Sequence, residues 1–111
     1  MNVKQLVEKL NFEIVAGTEG LQNEVIGGYS SDLLSDVMGH AEAGCIWITL
    51  QTHKNVMAIA SLKELAAVVL VKGFQPDPDM LQQANIEGIP VLVTNESTFE
   101  INGLIFNLLN K

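Results

Sequence analysis

The sequence contains no arginine and a single cysteine, and none of its apolar runs reaches the roughly 18 residues of a membrane-spanning helix. Each shortage closes off a class of function. Without arginine there is no bidentate clamp for phosphate. Six lysines against 13 acids leave a net charge of −7, which opposes binding to nucleic acid or to an anionic membrane, because both need clustered cations. The lone Cys45 cannot form an internal disulfide, and its apolar neighbours mark it as a small buried hydrophobe. No Gly-Lys-Ser or Gly-Lys-Thr occurs, so the phosphate-binding loop of a kinase is missing as well. The N-terminal stretch carries Lys4, Glu8 and Lys9 where a signal peptide would be apolar, and the expected location is the cytoplasm.

What is present fits one globular domain spanning residues 1–111, with 48% apolar and only 17% charged residues. Asn2 and Gln5 form a capping box ahead of Val3, Leu6, Val7 and Leu10, which predicts an amphipathic helix ending near Asn11. Short strands are expected over 12–16 and 23–29, the second including the Gly27-Gly28 pair, where the backbone bends or approaches something closely. Ser30 or Ser31 then caps a helix carrying Leu33, Leu34, Val37 and Met38, with Asp32 at its positive end; Gly39 closes it and leaves His40 at the negative end.

Three strand-loop-helix units fill the second half. The strands are 45–50, 66–71 and 91–94, all too uniformly apolar to have a wet face, as is typical of strands covered on both sides. The helices between them start near Thr52 or Asn55, at Asp77-Pro78, and at the box Ser97-Thr98-Phe99-Glu100. Such alternation implies right-handed crossovers, hence an α/β fold: a mainly parallel sheet with helices on its faces. The last helix carries Phe99, Ile101, Leu104, Ile105, Phe106, Leu108 and Leu109, more than one core stripe uses. It is either wedged inside the monomer or part of a subunit interface, and a homodimer is expected.

In parallel sheets ligands collect beyond the carboxyl ends of the strands. That edge would gather Tyr29, Ser30, Ser31 and Asp32 after the second strand, and Gln51, Thr52, His53 and Lys54 after the third. Lys72 and Gly73 follow the fourth strand, and Ser97 the fifth. These are the candidate ligand-binding residues. His53 has the chemistry of a general base, but no acid stands at a fixed spacing to orient it, so no catalytic residue is assigned. His40 and His53, even with Asp32 or Asp36, carry no ligand spacing for a metal, and no cofactor is expected.

The succession Trp47-Ile48-Thr49, Ala67-Val68-Val69-Leu70-Val71-Lys72-Gly73-Phe74-Gln75-Pro76 and Gly88-Ile89-Pro90-Val91-Leu92-Val93-Thr94, followed by Ser97-Thr98-Phe99, resembles the DRTGG domain family. The likeness runs over almost the whole chain. It implies the fold shared with the N-terminal domains of HPr kinase/phosphorylase and of Mur ligases, and a regulatory or ligand-binding role without kinase activity. The family's Asp-Arg pair is replaced by Gln51-Thr52-His53-Lys54-Asn55, and its Thr-Gly-Gly by Val71-Lys72-Gly73, so Lys72 stands where the family has glycine. The resemblance identifies no ligand; the function expected first is a regulatory or ligand-binding domain that senses a nucleotide-like or other anionic metabolite at the strand-end edge. The alternative is an interaction module that docks through its apolar last helix onto a metabolic or redox enzyme or a kinase-like partner, hydrogenase components being the context the resemblance implies.

Overall fold

The computed structural model describes residues 1–110. Its elements run α1 (Val3–Leu10), β1 (Glu13–Ala16), a 3-10 turn (Thr18–Gly20), β2 (Gly27–Ser30), α2 (Leu34–His40), β3 (Cys45–Thr49), α3 (Lys54–Leu62), β4 (Ala67–Leu70), α4 (Pro78–Glu87), β5 (Val91–Val93) and α5 (Thr98–Leu109). The strands form one five-stranded sheet in the order β1-β5-β4-β3-β2. β2 to β5 are parallel; β1 alone runs antiparallel, alongside β5. The α/β architecture expected from the sequence is therefore the one observed.

The uniformly apolar strands have the predicted cause. Ile46, Ile48, Ala67, Val69 and Leu92 turn to a face covered by α1 and α5. Trp47, Val68, Leu70, Val91 and Val93 turn to the opposite face, beneath α2, α3 and α4. Because side chains alternate across a strand, covering both faces requires apolar residues at every position. Every residue of β3, β4 and β5 is accordingly buried.

Several local expectations are corrected. Regular β2 covers only residues 27–30, because the segment before it pairs elsewhere: Val25 N donates to Met1 O, and Asn2 bridges Glu24. Neither serine caps α2, whose N-cap is Leu33 with no side-chain bond; Ser31 Oγ instead accepts from Leu33 N just ahead of the helix. Nor does Gly39 close that helix, which continues through His40 to Ala41. The N-cap of α3 is His53, without a side-chain bond, in place of Thr52 or Asn55. By contrast the capping box of α1 is complete, Ser97 Oγ accepts from Glu100 N, and α4 begins at Pro78 and ends on Gly88.

β1 is seated by one glycine. Gly17 lies at φ +72°, and a Cβ built there would stand 2.0 Å from Ile89 O. Its N–H donates to Asn85 Oδ1 at 2.8 Å, which ties the end of β1 to α4.

Candidate functional site

All four parallel strands end at one edge, and the loops there are bound to one another. Asp32 is the hub. Its Oδ1 accepts from Thr49 Oγ1 at 2.9 Å and from Leu50 N at 2.7 Å, while its carbonyl accepts from Gln51 Nε2 at 2.8 Å. Thr49 is only 1% exposed, so its hydroxyl has no water to turn to. Trp47 Nε1 donates to Ser31 O at 2.8 Å, which pulls the loop after β2 onto the buried indole. Ser31, Asp32 and Gln51 are thus brought together, as a clasp around the end of β3.

The remaining predicted residues fall into separate groups. His53 Nδ1 lies 3.5 Å from Asp77 Oδ2, with both side chains about half exposed, and Asp77 N donates to Thr52 O at 2.9 Å. The starts of α3 and α4 therefore meet here, and neither has a side-chain cap. An acid does stand beside His53, contrary to what spacing along the sequence showed. It comes from the loop after the next strand, and sequence distance hides it.

Lys72 and Gly73 lie at φ +60° and +74°, left-handed at both positions. This explains physically why a Gly-Gly pair suits the turn and why a lysine at the first position carries strain of about 1–2 kcal/mol. Their amides donate to Glu96 O and Thr94 O, both at 2.9 Å, and so are committed to the loop after β5. Ser97 is occupied as the cap of α5. The side chains of His53, Lys54 and Lys72 are exposed at this edge.

Tyr29 and Ser30 point to opposite faces of the sheet. Ser30 Oγ bonds to Asn102 Oδ1 of α5, whereas Tyr29 OH donates to Asp36 Oδ2 at 2.9 Å on the α2 side. Asp36 also meets His40, whose Nδ1 lies 3.2 Å from its Oδ1 and 3.1 Å from its backbone carbonyl. The hydroxyls of Ser31 and Tyr29, and less strongly His40, hold the Asp36 carboxyl below the ordinary carboxylate value against the opposing effect of burial. Burial first, then the bond to Asp36 and its charge, push the Tyr29 phenol above its ordinary value.

A groove of about 370 Å³ opens on the other face, between β2 and α5. Its lining includes Gly28, Ile48, Asn102, Ile105 and Phe106, and the floor lies where Gly28 contributes no side chain. Sequence reasoning did not assign this groove or the Tyr29-Asp36-His40 network. The signals for the groove were the Gly27-Gly28 pair and the surplus of apolar residues on α5. Of those residues, Ile101 and Ile105 are buried, while Phe99 is 83%, Leu104 42% and Phe106 69% exposed. Among the described residues no helix is long and apolar enough to cross a membrane, and no three His, Cys, Asp or Glu side chains converge to hold a metal ion.

Compared with known proteins, residues 5–108 match the family model of the DRTGG domain. No curated protein matches the chain. Among solved structures it is similar to the CBS and DRTGG domains of the regulatory region of a Clostridium perfringens pyrophosphatase, which was crystallised with the activator diadenosine tetraphosphate. The two share 14% identity with a TM-score of 0.71. The match covers 94% of this chain and 45% of that one, so this chain spans less than half of its neighbour's length.

Proposed function

The chain belongs to the DRTGG domain family, and from this membership we propose a regulatory domain without catalytic activity of its own, cytoplasmic and homodimeric, which acts by docking onto the protein it regulates. The observation that carries this reading is the outer face of α5. Phe99, Leu104 and Phe106 remain exposed on one helix of a chain whose other apolar residues largely pack into two filled layers, and apolar surface of that kind is characteristic of protein contacts. The partner is a metabolic or redox enzyme, hydrogenase-associated proteins included, or a kinase-like protein. Leu104→Glu should leave the fold intact, since Leu104 already faces solvent, and should abolish recovery of the partner with a tagged chain from its native cells. A partner that stays bound to the Leu104→Glu protein would refute the docking face.

A second reading rests on the strand-end edge, where His53, Lys54 and Lys72 project beside the uncapped starts of α3 and α4. Helix starts favour negative charge, so this edge suits an anionic or nucleotide-like metabolite. The similar pyrophosphatase region, with its dinucleotide activator, supports a ligand of that class. The contacting residues would come from the predicted set, with His53, Lys54 and Lys72 foremost, because their side chains are exposed while those of Tyr29, Ser30, Asp32, Gln51 and Ser97 are committed to internal bonds. A thermal-shift screen with nucleotides and phosphorylated metabolites should give a stabilisation that disappears in His53→Ala or Lys72→Ala. No shift with any of them removes this reading.

A further inference from the structure

β2 lies at the edge of the sheet beside β3, and its bonds to β3 show which of its backbone groups stay open. Ser31 N donates to Ile48 O, and in the parallel register that pairs Ser30 with Ile48 this turns Tyr29 and Ser31 towards β3. Backbone groups of alternate residues share a direction, so Gly27 also faces β3, while Gly28 and Ser30 face outward. The bonds of Ala66 N to Cys45 O and of Val71 N to Thr49 O agree, since they turn the odd-numbered residues of β3 to β4 and leave Ile46 and Ile48 for β2. Among the described residues no backbone group bonds to the N–H or C=O of Gly28 or Ser30.

Upstream the same edge is already paired. Ile26 N donates to Gly44 O, so two successive residues, Ile26 and Gly27, turn inward and the outward direction passes to Val25 and Asn23. Val25 N donates to Met1 O and Val3 N to Asn23 O, an antiparallel addition by the first residues of the chain that stops short of Gly28. The open stretch from Gly28 to Ser30, about 7 Å long, continues the line of that addition.

The monomer itself has no need of glycine at position 28. Its φ is not left-handed, and a Cβ built there would stand 3.7 Å from Ile46 Cγ2 and Ile48 Cδ1, which is ordinary contact. Glycine weakens a strand and often marks the close approach of a ligand or another backbone. The missing side chain leaves open the groove of about 370 Å³ walled by Ile26, Ile48, Ile105 and Phe106, whose described lining carries no charge. That groove is continuous with the outer face of α5, because Asn102 and Phe106 belong to both.

We propose that the open edge of β2 takes an extended segment of the partner protein as an added antiparallel strand, with an aromatic or large aliphatic side chain of that segment seated in the groove over Gly28. This rests on the docking at α5 proposed above and specifies how the partner is held. In antiparallel pairing the residue opposite Gly28 exchanges both backbone bonds with it and projects its side chain to the same face, towards α5. The residue opposite Ser30 does the same, and the one between them projects to the α2 face. A large side chain laid across a cross-strand glycine restores the packing that the glycine omits. A partner docked on Phe99, Leu104 and Phe106 already lies at the mouth of the groove. The net charge of −7 attracts a segment with basic residues on its solvent side; a second copy carries the same negative charge and is not attracted.

The test selects a displayed library of random linear peptides against the immobilised chain and follows the enriched peptide, made synthetically, by residue-resolved amide exchange. The enriched sequences should carry an aromatic or large aliphatic residue with basic neighbours. Bound peptide should slow exchange of the Gly28 and Ser30 amides by about tenfold or more, while the Gly27 and Tyr29 amides, turned to β3, keep their rates. Gly28→Val fills the floor of the groove, and Ile26→Lys charges its wall at a position 66% exposed and therefore safe for the fold. Each should weaken the peptide by about tenfold. A library that yields no peptide, or a bound peptide that leaves the Gly28 and Ser30 amides unchanged, overturns strand addition. Protection of those amides in the chain alone, growing with concentration alongside a doubled mass, assigns the edge to a second copy and overturns it as well. Leu104 does not line the groove, so Leu104→Glu reports on the α5 face alone. Partner recovery lost in Leu104→Glu, with no peptide pairing at the edge, refutes the added strand and leaves docking at α5 in place.

Discussion

Asp32 belongs to the predicted ligand-binding set, yet its carboxylate is bound to the end of β3, and its removal should be felt in stability. In Asp32→Ala the hydroxyl of Thr49, 1% exposed, loses its acceptor, and Leu50 N loses a bond of 2.7 Å. Hydrogen bonds to charged groups contribute about 1.5–3 kcal/mol, and a buried donor left without a partner costs about 1–3 kcal/mol. Leu50 N can be rehydrated because it lies at the exposed margin, so the estimate for the variant is about 2–3 kcal/mol. With a urea m-value of about 2 kcal/mol/M, the midpoint should fall by about 1–1.5 M with m unchanged. The only tryptophan, Trp47, is fully buried and reports the transition by fluorescence. Thr49→Val should cost about 1 kcal/mol, since the Asp32 carboxylate keeps its bond from Leu50 N and only the bonds of the Thr49 hydroxyl to Asp32 and from Gln51 N are lost. The double variant should show coupling of about 1–2 kcal/mol. Additive costs, or a loss below about 0.5 kcal/mol for Asp32→Ala, would refute the clasp and return Asp32 to the class of free surface carboxylates.

The single tyrosine allows a direct test of the Tyr29-Asp36 contact. Ultraviolet titration of the folded protein should give a phenol midpoint above the ordinary tyrosine value, and Asp36→Asn should lower it without fully restoring that value, because burial, the larger cause, remains. For such a raised group the associated stability is complete below the ordinary tyrosine pKa and is lost as pH rises through the folded value; a wild-type midpoint at the ordinary value would contradict the contact. The depressed Asp36 carboxyl works in the opposite direction, contributing stability above the ordinary carboxylate value that is lost as pH falls through the folded one, so Asp36→Asn should flatten the acid limb of a stability profile. At Gly17 the left-handed backbone and the approach to Ile89 O together predict a loss of about 2–5 kcal/mol for Gly17→Ala in chemical denaturation, and a loss under about 1 kcal/mol would show that the chain can shift there cheaply.

The parts of this molecule that were legible in the sequence are those governed by short-range rules. Continuous apolar runs gave β3, β4 and β5 to within a residue or two, and Asn2, Pro78, Gly88 and Ser97 marked helix ends where they stand. β1 also lay where alternation placed it, but its antiparallel pairing with β5 depends on Gly17 meeting Ile89, which no local pattern announces. Asp32 looked like a helix-start residue because helix charge preference is local, whereas its actual partners, Thr49 and Leu50, lie across the sheet. The same limit applied to the predicted binding set. Strand ends are easy to find in a sequence, but which of their polar groups are already spoken for depends on neighbours from other loops, as with Lys72 and Gly73 on Thr94 and Glu96. The groove escaped for a different reason: it is formed by what Gly28 lacks, opposite a helix more than seventy residues away.

The pairing of β1 with β5 also orders events during synthesis. Ala16 meets Val91, about 75 residues later, which at ordinary translation rates of about 5–20 residues/s is an interval of about 4–15 s. Throughout it α1, whose Val3, Leu6 and Val7 end up wholly or largely covered, has no finished sheet to lie on. The other strands can add as they emerge, β3 beside β2, β4 beside β3 and β5 beside β4. Of the five strands the one made first is therefore the one that completes the sheet, and α1 stays incompletely covered until β5 has been made.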